Sequence, residues 1–211
     1  MKKYIVLLIC LLFCSVTVSA QYQKATEEQQ KEIVAKIKQA SGNVNTMKCD
    51  FTQVRELSFV DEIITSEGKM YYKKANKIRW EYIKPHPYSL SMDGKSTTMM
   101  HGDKSTTMPV GQRRMFDEIY KVMLICVNGM GFVDSPDFDA TLYVGSDDNK
   151  VILTPKKKEM KAFFSSIQLY ASKQDSRIRL IELVQKDGEK VIITLKNIQL
   201  NTIISDTIFS Q

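Results

Sequence analysis

Between Glu27 and Gly42 the apolar residues Ile33, Val34, Ile37 and Ala40 recur at helical spacing, which places them on one stripe of an amphipathic helix. Thr26, with Gln29 following in capping-box register, marks its start, Glu27 and Glu28 suit the positive end of the helix dipole, and Gly42 supplies a stop. From Met47 to Met100 the pattern changes to strands. CDFTQV, IITSEGKMYYKK, KIRWEYIK and PYSLSM are rich in β-branched and aromatic residues and are split by turn signals at Ala75-Asn76 and Asp93-Gly94. Helical spacing returns between Gln112 and Asn128, where Met115, Phe116, Ile119, Tyr120, Met123 and Val127 form a stripe that Asn128 and Gly129 can end. Gly131 to Asp139 reads as a loop broken by Pro136.

A second strand region follows: ATLYVG, KVILTP, AFFSSIQLY, RIRLIELVQ and KVIITLKNIQL. The links at Asp147-Asp148-Asn149, Lys173 to Ser176 and Asp187-Gly188 are short, so the pairing is predicted to be antiparallel and meandering. Helix, strands, helix, strands without βαβ alternation predicts the α+β class. Several strands do not alternate cleanly. In RIRLIELVQ, Ile178 and Leu180 oppose Ile181 and Leu183; in KVIITLKNIQL, Val191, Ile193 and Leu195 oppose Ile192, Ile198 and Leu200. Read as simple strands, these predict a sheet partly sheltered on its second face. A strongly curved sheet wrapped around two helices meets that need, and failure to close leaves an apolar groove.

The first twenty residues are not read as fold. Lys2 and Lys3, the apolar run Tyr4 to Cys14, and SVTVSA with Val18 and Ala20 at the −3 and −1 positions form a secretory signal, cleaved before Gln21. Cys10 and Cys14 lack the small residues that a lipidation site needs before its cysteine. Residues 21–211 then form one predicted domain. Loss of two lysines takes the formal charge from +6 to +4. With basic residues scattered, and Lys156-Lys157-Lys158 read as a solvated turn, nucleic acid is not an expected partner. Cys49 and Cys126 either pair in an oxidising compartment or act as two small buried hydrophobes.

Chemistry is sparse. His86 and His101 fall in loops, the HGDKS stretch lacks a nucleophile-elbow pattern, and neither a metal-spaced Cys/His cluster nor a phosphate loop is present. Asp50 with Glu56, or Asp61 with Glu62, reads as solvated strand ends rather than a catalytic pair. No enzyme activity, metal or cofactor is expected. Of the eleven methionines, six lie between Met99 and Met130. They suit either irregular core gaps or a surface that accepts varied hydrophobic shapes.

The run GKMYYKKANKIRWEYIKPHPYSLSMDGK, Gly68 to Lys95, resembles the periplasmic outer-membrane lipoprotein carriers (LolA-like). VILTPK, DFTQV and an amphipathic helix after a signal peptide resemble them too, in the same order. The resemblance implies an incomplete antiparallel β-barrel whose concave apolar face is covered by helices. It implies a monomeric periplasmic carrier in a Gram-negative bacterium, holding the acyl chains of lipoproteins. An inner-membrane lipoprotein-releasing transporter would be the donor and an outer-membrane protein the acceptor. Position by position, Met70, Tyr72, Ile78 and Trp80 match strand residues that face the family's cavity. Strand alternation adds Tyr82, Leu90 and Met92, and the helical pattern adds Met115, Ile119 and Met123. Ordinary core packing is the alternative for each. Two departures stand out. Lys74-Ala75 occupies the place of an Arg-Pro pair whose arginine latches the lid, and lysine lacks the planar donor fork. The chain also stops soon after the strand-like TIISDTIF, where the family's C-terminal extension would continue. Another acylated lipid or glycolipid remains open as cargo, as does a lipoprotein-sensing domain of the same fold.

Overall fold

The structure is a computed structural model, and it describes residues 22–57, 62–93, 95–109, 114–129, 131–133 and 135–210. The leader read at 1–20 lies outside these residues, as do Asp61, Gly94, Gln112 and Met130.

The stripe of the first helix folds as predicted. Helix α1, Glu27–Ser41, starts at a capping box in which the Thr26 hydroxyl accepts from the Gln29 N–H and the Gln29 side chain accepts from the Thr26 N–H. Ile33 and Ile37 are buried. Gly42 caps its end in the right-handed region, not in the left-handed conformation common at glycine stops. Helix α2, Arg114–Asn128, ends at Gly129, whose φ of +60° is left-handed. There a Cβ would lie 2.7 Å from the Ile37 carbonyl oxygen, so only glycine lets the end of α2 meet α1 so closely.

Among the described residues, twelve strands make one antiparallel sheet. In chain order they are β1 (Gln23–Lys24), β2 (Thr46–Glu56), β3 (Ile63–Lys73), β4 (Lys77–Lys84), β5 (Tyr88–Met92), β6 (Thr97–His101), β7 (Lys104–Thr107), β8 (Phe138–Val144), β9 (Asp148–Pro155), β10 (Phe164–Ser172), β11 (Ile178–Gln185) and β12 (Lys190–Leu200). Their spatial order is β1-β8-β9-β10-β11-β12-β2-β3-β4-β5-β6-β7. The two ends, β1 and β7, do not meet, so the sheet is an open half-barrel. Its curvature follows from one comparison. β10 and β5 stand six places apart, about 29 Å in a flat sheet at ~4.8 Å per strand. Phe164 of β10 and Leu90 of β5 nevertheless line the same cavity. Only a strongly curled sheet brings them together.

Register defines the inner face. Across β2, β3, β4 and β5 run the rows Met47–Tyr72–Ile78–Met92 and Cys49–Met70–Trp80–Leu90. On the other half, Leu142, Val151, Leu169, Ile181 and Ile193 continue one row. The irregular alternation of β11 and β12 has a different cause from the one expected. A bulge at Tyr170/Ala171 opposite Ile178 and Leu180 re-phases the strand, and Ile178 joins Ile181 and Leu183 among the buried residues. In β12 a second bulge, between Lys196 and Gln199 with Asn197 at φ 52°, turns Ile198 and Leu200 toward the helices beside Met47. Of the apolar residues read as opposed, Leu180 and Ile192 remain outward, half-buried. A second face is sheltered elsewhere. The stretch TIISDTIF, expected to be strand-like, instead ends in a 3-10 turn, Asp206–Phe209, that crosses the outer side of β4, held by Lys73 and Lys77 on Asp206 at 2.8 and 3.0 Å. Tyr71, Arg79 and Ser91 are buried on that side.

Three elements were not legible from pattern. β1 is two residues long, β7 is polar and exposed throughout, and a short helix α3, Lys158–Lys161, buries Met160. The lysines before it are exposed, as read, and two of them are also paired: Lys156 reaches the Ser135 carbonyl at 3.3 Å and Lys157 pairs with Asp137.

Candidate functional site: an apolar cavity under helix α2

Gly68 starts the site. It lies on the inner face opposite Phe51 and Tyr82, and a Cβ there would fall 2.1 Å from the Glu81 carbonyl oxygen and 2.5 Å from the Phe51 ring. The missing side chain leaves room for Phe51 to lie across the strands. Its ring stacks on Trp80 at 4.1 Å between centroids and meets Tyr82 edge-on at 5.1 Å. Tyr82 stacks in turn on Tyr88 at 4.4 Å. One glycine thus permits a four-ring wall.

Above this wall α2 leaves a cavity of about 270 Å³. Trp80, Tyr82, Leu90 and Met92 line its sheet side, and Met115, Ile119 and Met123 line its helix side. Met70, Tyr72 and Ile78 share the inner face but do not line this cavity; each is almost fully buried. The reason is the tilt of contacts along α2. Its C-terminal half seals that end of the sheet, where Cys126 and Val127 pack near Met47. Its N-terminal half stands off, so the opening lies there, with Met115 38% exposed at the rim.

Reading by residue type passed over Tyr88, Phe116 and Phe164, and the polar lining residues Gln53, Arg55 and Gln185. Alternation carried the signal for two of them: in DFTQVR, Phe51, Gln53 and Arg55 share one face. The Tyr82 hydroxyl donates to Gln53 Oε1 at 2.8 Å. Arg55 binds Glu189 Oε2 through Nε at 3.3 Å and Nη2 at 3.0 Å. Burial pushes the Tyr82 and Tyr88 hydroxyls above the ordinary phenol range, so both stay protonated donors at neutral pH.

Lys74 lies exposed in the β3–β4 turn, its N–H donating to the Asn45 carbonyl at 2.7 Å. Ala75 and Asn76 beside it hold φ of 74° and 62°, the left-handed pair of a tight hairpin. The tie from this turn to the helix comes from another residue: the Tyr120 hydroxyl donates to the Asn76 carbonyl. Cys49 and Cys126 are both unpaired and buried, with the Cys49 thiol pushed up to about 12 by burial and Cys126 raised by the same cause. They act as small hydrophobes. Among the described residues, no group of three His, Cys, Asp or Glu is placed to hold a metal ion.

The comparisons with known proteins come to the same architecture. The structure is similar to that of an uncharacterized conserved protein from Thermus thermophilus, with a TM-score of 0.54 at 11% identity over 86% of this chain and 93% of that one. A LolA superfamily protein from Nitrosomonas europaea aligns with a TM-score of 0.47 at 11% identity, over 86% of this chain and 97% of that one. In sequence, an outer-membrane lipoprotein carrier protein from Albidiferax ferrireducens is 19% identical over 75% of this chain and 76% of its own length. The model of the family described as outer membrane lipoprotein carrier protein LolA matches residues 42–211, and the chain therefore belongs to that family.

Proposed function

We propose that this protein is a periplasmic carrier that shields the acyl chains of a lipoprotein and delivers it toward the outer membrane. The observation that carries the reading is the cavity itself: an aromatic and methionine-rich space between α2 and the concave face of an open sheet. Family membership and the leader read at residues 1–20 support the compartment. Transport needs no bond to be made or broken. At ~0.8 kcal/mol per buried methylene, one long acyl chain exposed to water costs on the order of 10 kcal/mol, and an apolar cavity removes that cost. An inner-membrane releasing transporter would load the carrier and an outer-membrane protein would unload it.

Loading requires motion. The cavity of about 270 Å³ is below the ~300–1,000 Å³ usual for small-molecule sites, so a whole acyl chain enters only as α2 swings away from the sheet. The flexible thioethers of Met115 and Met123 suit a lid that must repack around cargo. Release then follows competition by an acceptor with higher affinity, since tight binding alone would trap the cargo.

Mass spectrometry of material co-purified from the native compartment tests the reading. Acylated lipoprotein bound to the protein is expected. Recovery of glycolipid alone would transfer the function to a different lipid cargo, and a protein that never holds any acyl compound would overturn the carrier reading.

A further inference from the structure

A cavity of about 210 Å³ lies on the outer side of the sheet, between the β5–β6 turn and the 3-10 turn Asp206–Phe209. Arg79 pairs with Ser91 one step out of phase with the inward Trp80–Leu90 pair, so Ser91 faces away from helix α2. Ser91 lines this outer cavity and is only 8% exposed, yet among the described residues its hydroxyl has no hydrogen-bond partner. A buried hydroxyl left unpaired is costly, and a ligand that supplies the partner recovers the loss. The groups around it restrict what that ligand carries. Asp206 takes Lys77 on Oδ1 at 3.0 Å and Lys73 on Oδ2 at 2.8 Å. Asp93 Oδ1 accepts from the Ser96 and Lys95 N–H groups at 2.8 and 2.9 Å and from the Ser96 hydroxyl at 3.2 Å, while Oδ2 takes part in none of these bonds. Led by the Ser96 N–H, these donors hold the Asp93 carboxyl below its ordinary range, so it is charged at neutral pH. Lys73 and Lys77 thus balance Asp93 and Asp206, and no net charge draws in an ion of either sign.

We propose that this outer cavity binds the uncharged, polyhydroxylated ring of a sugar. Each sugar hydroxyl both donates and accepts, so one ring answers three different groups: the acceptor Asp93 Oδ2, the spare ammonium hydrogens of Lys77, and the Ser91 hydroxyl. Phe209 adds an apolar wall that suits the C–H face of such a ring. The volume falls below the ~300–1,000 Å³ of drug-sized sites, which favours a single ring over an oligosaccharide lying wholly inside. That ring is either a free monosaccharide or the end unit of a longer glycan. Nothing in this site draws on the cavity under α2, so it goes beyond the carrier reading and does not depend on it.

Titration of the protein with glucose and with N-acetylglucosamine, followed by amide NMR shifts, tests the site. Saturable shifts are expected at Ser91, Asp93, Ser96 and Thr98 and from Asp206 to Ser210, with a Kd of about 1 mM for at least one of the two sugars. Ser91→Ala weakens that binding about tenfold and melts at or above the temperature of the parent protein, because the hydroxyl it removes has no partner in the empty site. A linear trimer of N-acetylglucosamine separates the two sources: binding as tight as the monomer assigns the end of a glycan, and weaker binding assigns a free sugar. Three results overturn the site and leave the carrier reading standing: no saturable shift with either sugar at about 50 mM, far above that Kd; shifts centred on Trp80 and Leu90; or an affinity that Ser91→Ala leaves unchanged.

Discussion

The Tyr120 hydroxyl donates to the Asn76 carbonyl across 2.7 Å, joining helix α2 to the tight turn between β3 and β4. This bond ties the lid to the sheet at the turn where Lys74 points to solvent. Tyr120→Phe keeps the ring and deletes one net hydrogen bond, about 1 kcal/mol. A melting temperature lowered by a few degrees and faster release of a bound acyl probe are expected in stopped-flow measurements. Unchanged melting and unchanged release would show that the tie does not hold the lid.

The same phenol sets a limit at alkaline pH. Burial, with Asp93 and Tyr72 adding to it, raises Tyr120 from 10.0 to about 12, and burial with Asp148 raises Tyr22 likewise to about 12. Each group is a neutral acid whose folded pKa exceeds its unfolded one. The stability it contributes is complete below pH 10.0 and is lost as pH rises toward 12. Urea midpoints should stay level through neutral pH and fall between pH 10 and 12; in Tyr120→Phe that fall becomes shallower.

Gly68→Ala is the sharpest test of the aromatic wall. An added Cβ at 2.1 Å from the Glu81 carbonyl oxygen and 2.5 Å from Phe51 forces strand or ring to shift. Overpacking of this kind costs about 1–3 kcal/mol, and the Phe51–Trp80 stack is lost with it. Denaturant titration followed by Trp80 emission reads both effects at once. A variant with unchanged midpoint and spectrum would mean that the wall tolerates a side chain there.

Trp80 is the chain's only tryptophan and lines the cavity, so its emission reports on cargo directly. An acyl chain brominated near its end should quench most of that emission at saturation, while a bromide salt in solution quenches little because the side chain is 4% exposed. Saturable binding without quenching would place the cargo away from this wall.

The thiols of Cys49 and Cys126 should resist a soluble thiol reagent at about pH 8 in the native protein, since burial keeps both protonated. In denaturant both should react fully. Rapid modification of the native protein would contradict the burial of at least one.

Much of this protein was legible in its pattern. The stripes of α1 and α2 and the strands from Met47 to Leu200 were readable because short-range periodicity records which side of each element is buried. So was the shared face of Ile78, Trp80 and Tyr82. What pattern misread was β11 and β12, where bulges change the phase and make one buried face look like two. Local sequence also missed β7, whose polar residues are held by pairing with β6 rather than by burial.

The amino-acid sequence by itself determined an antiparallel sheet with two amphipathic helices to cover it, because hydrophobic periodicity is local. Only the tertiary structure decided where cover becomes cavity. Met70 and Ile78 carry the same inward signature as Trp80, yet the C-terminal half of α2 closes over that end of the sheet while its N-terminal half leaves Trp80 beside open space. That difference comes from the curl of twelve strands and the close seat of Gly129 on α1, long-range relations that no window of sequence contains.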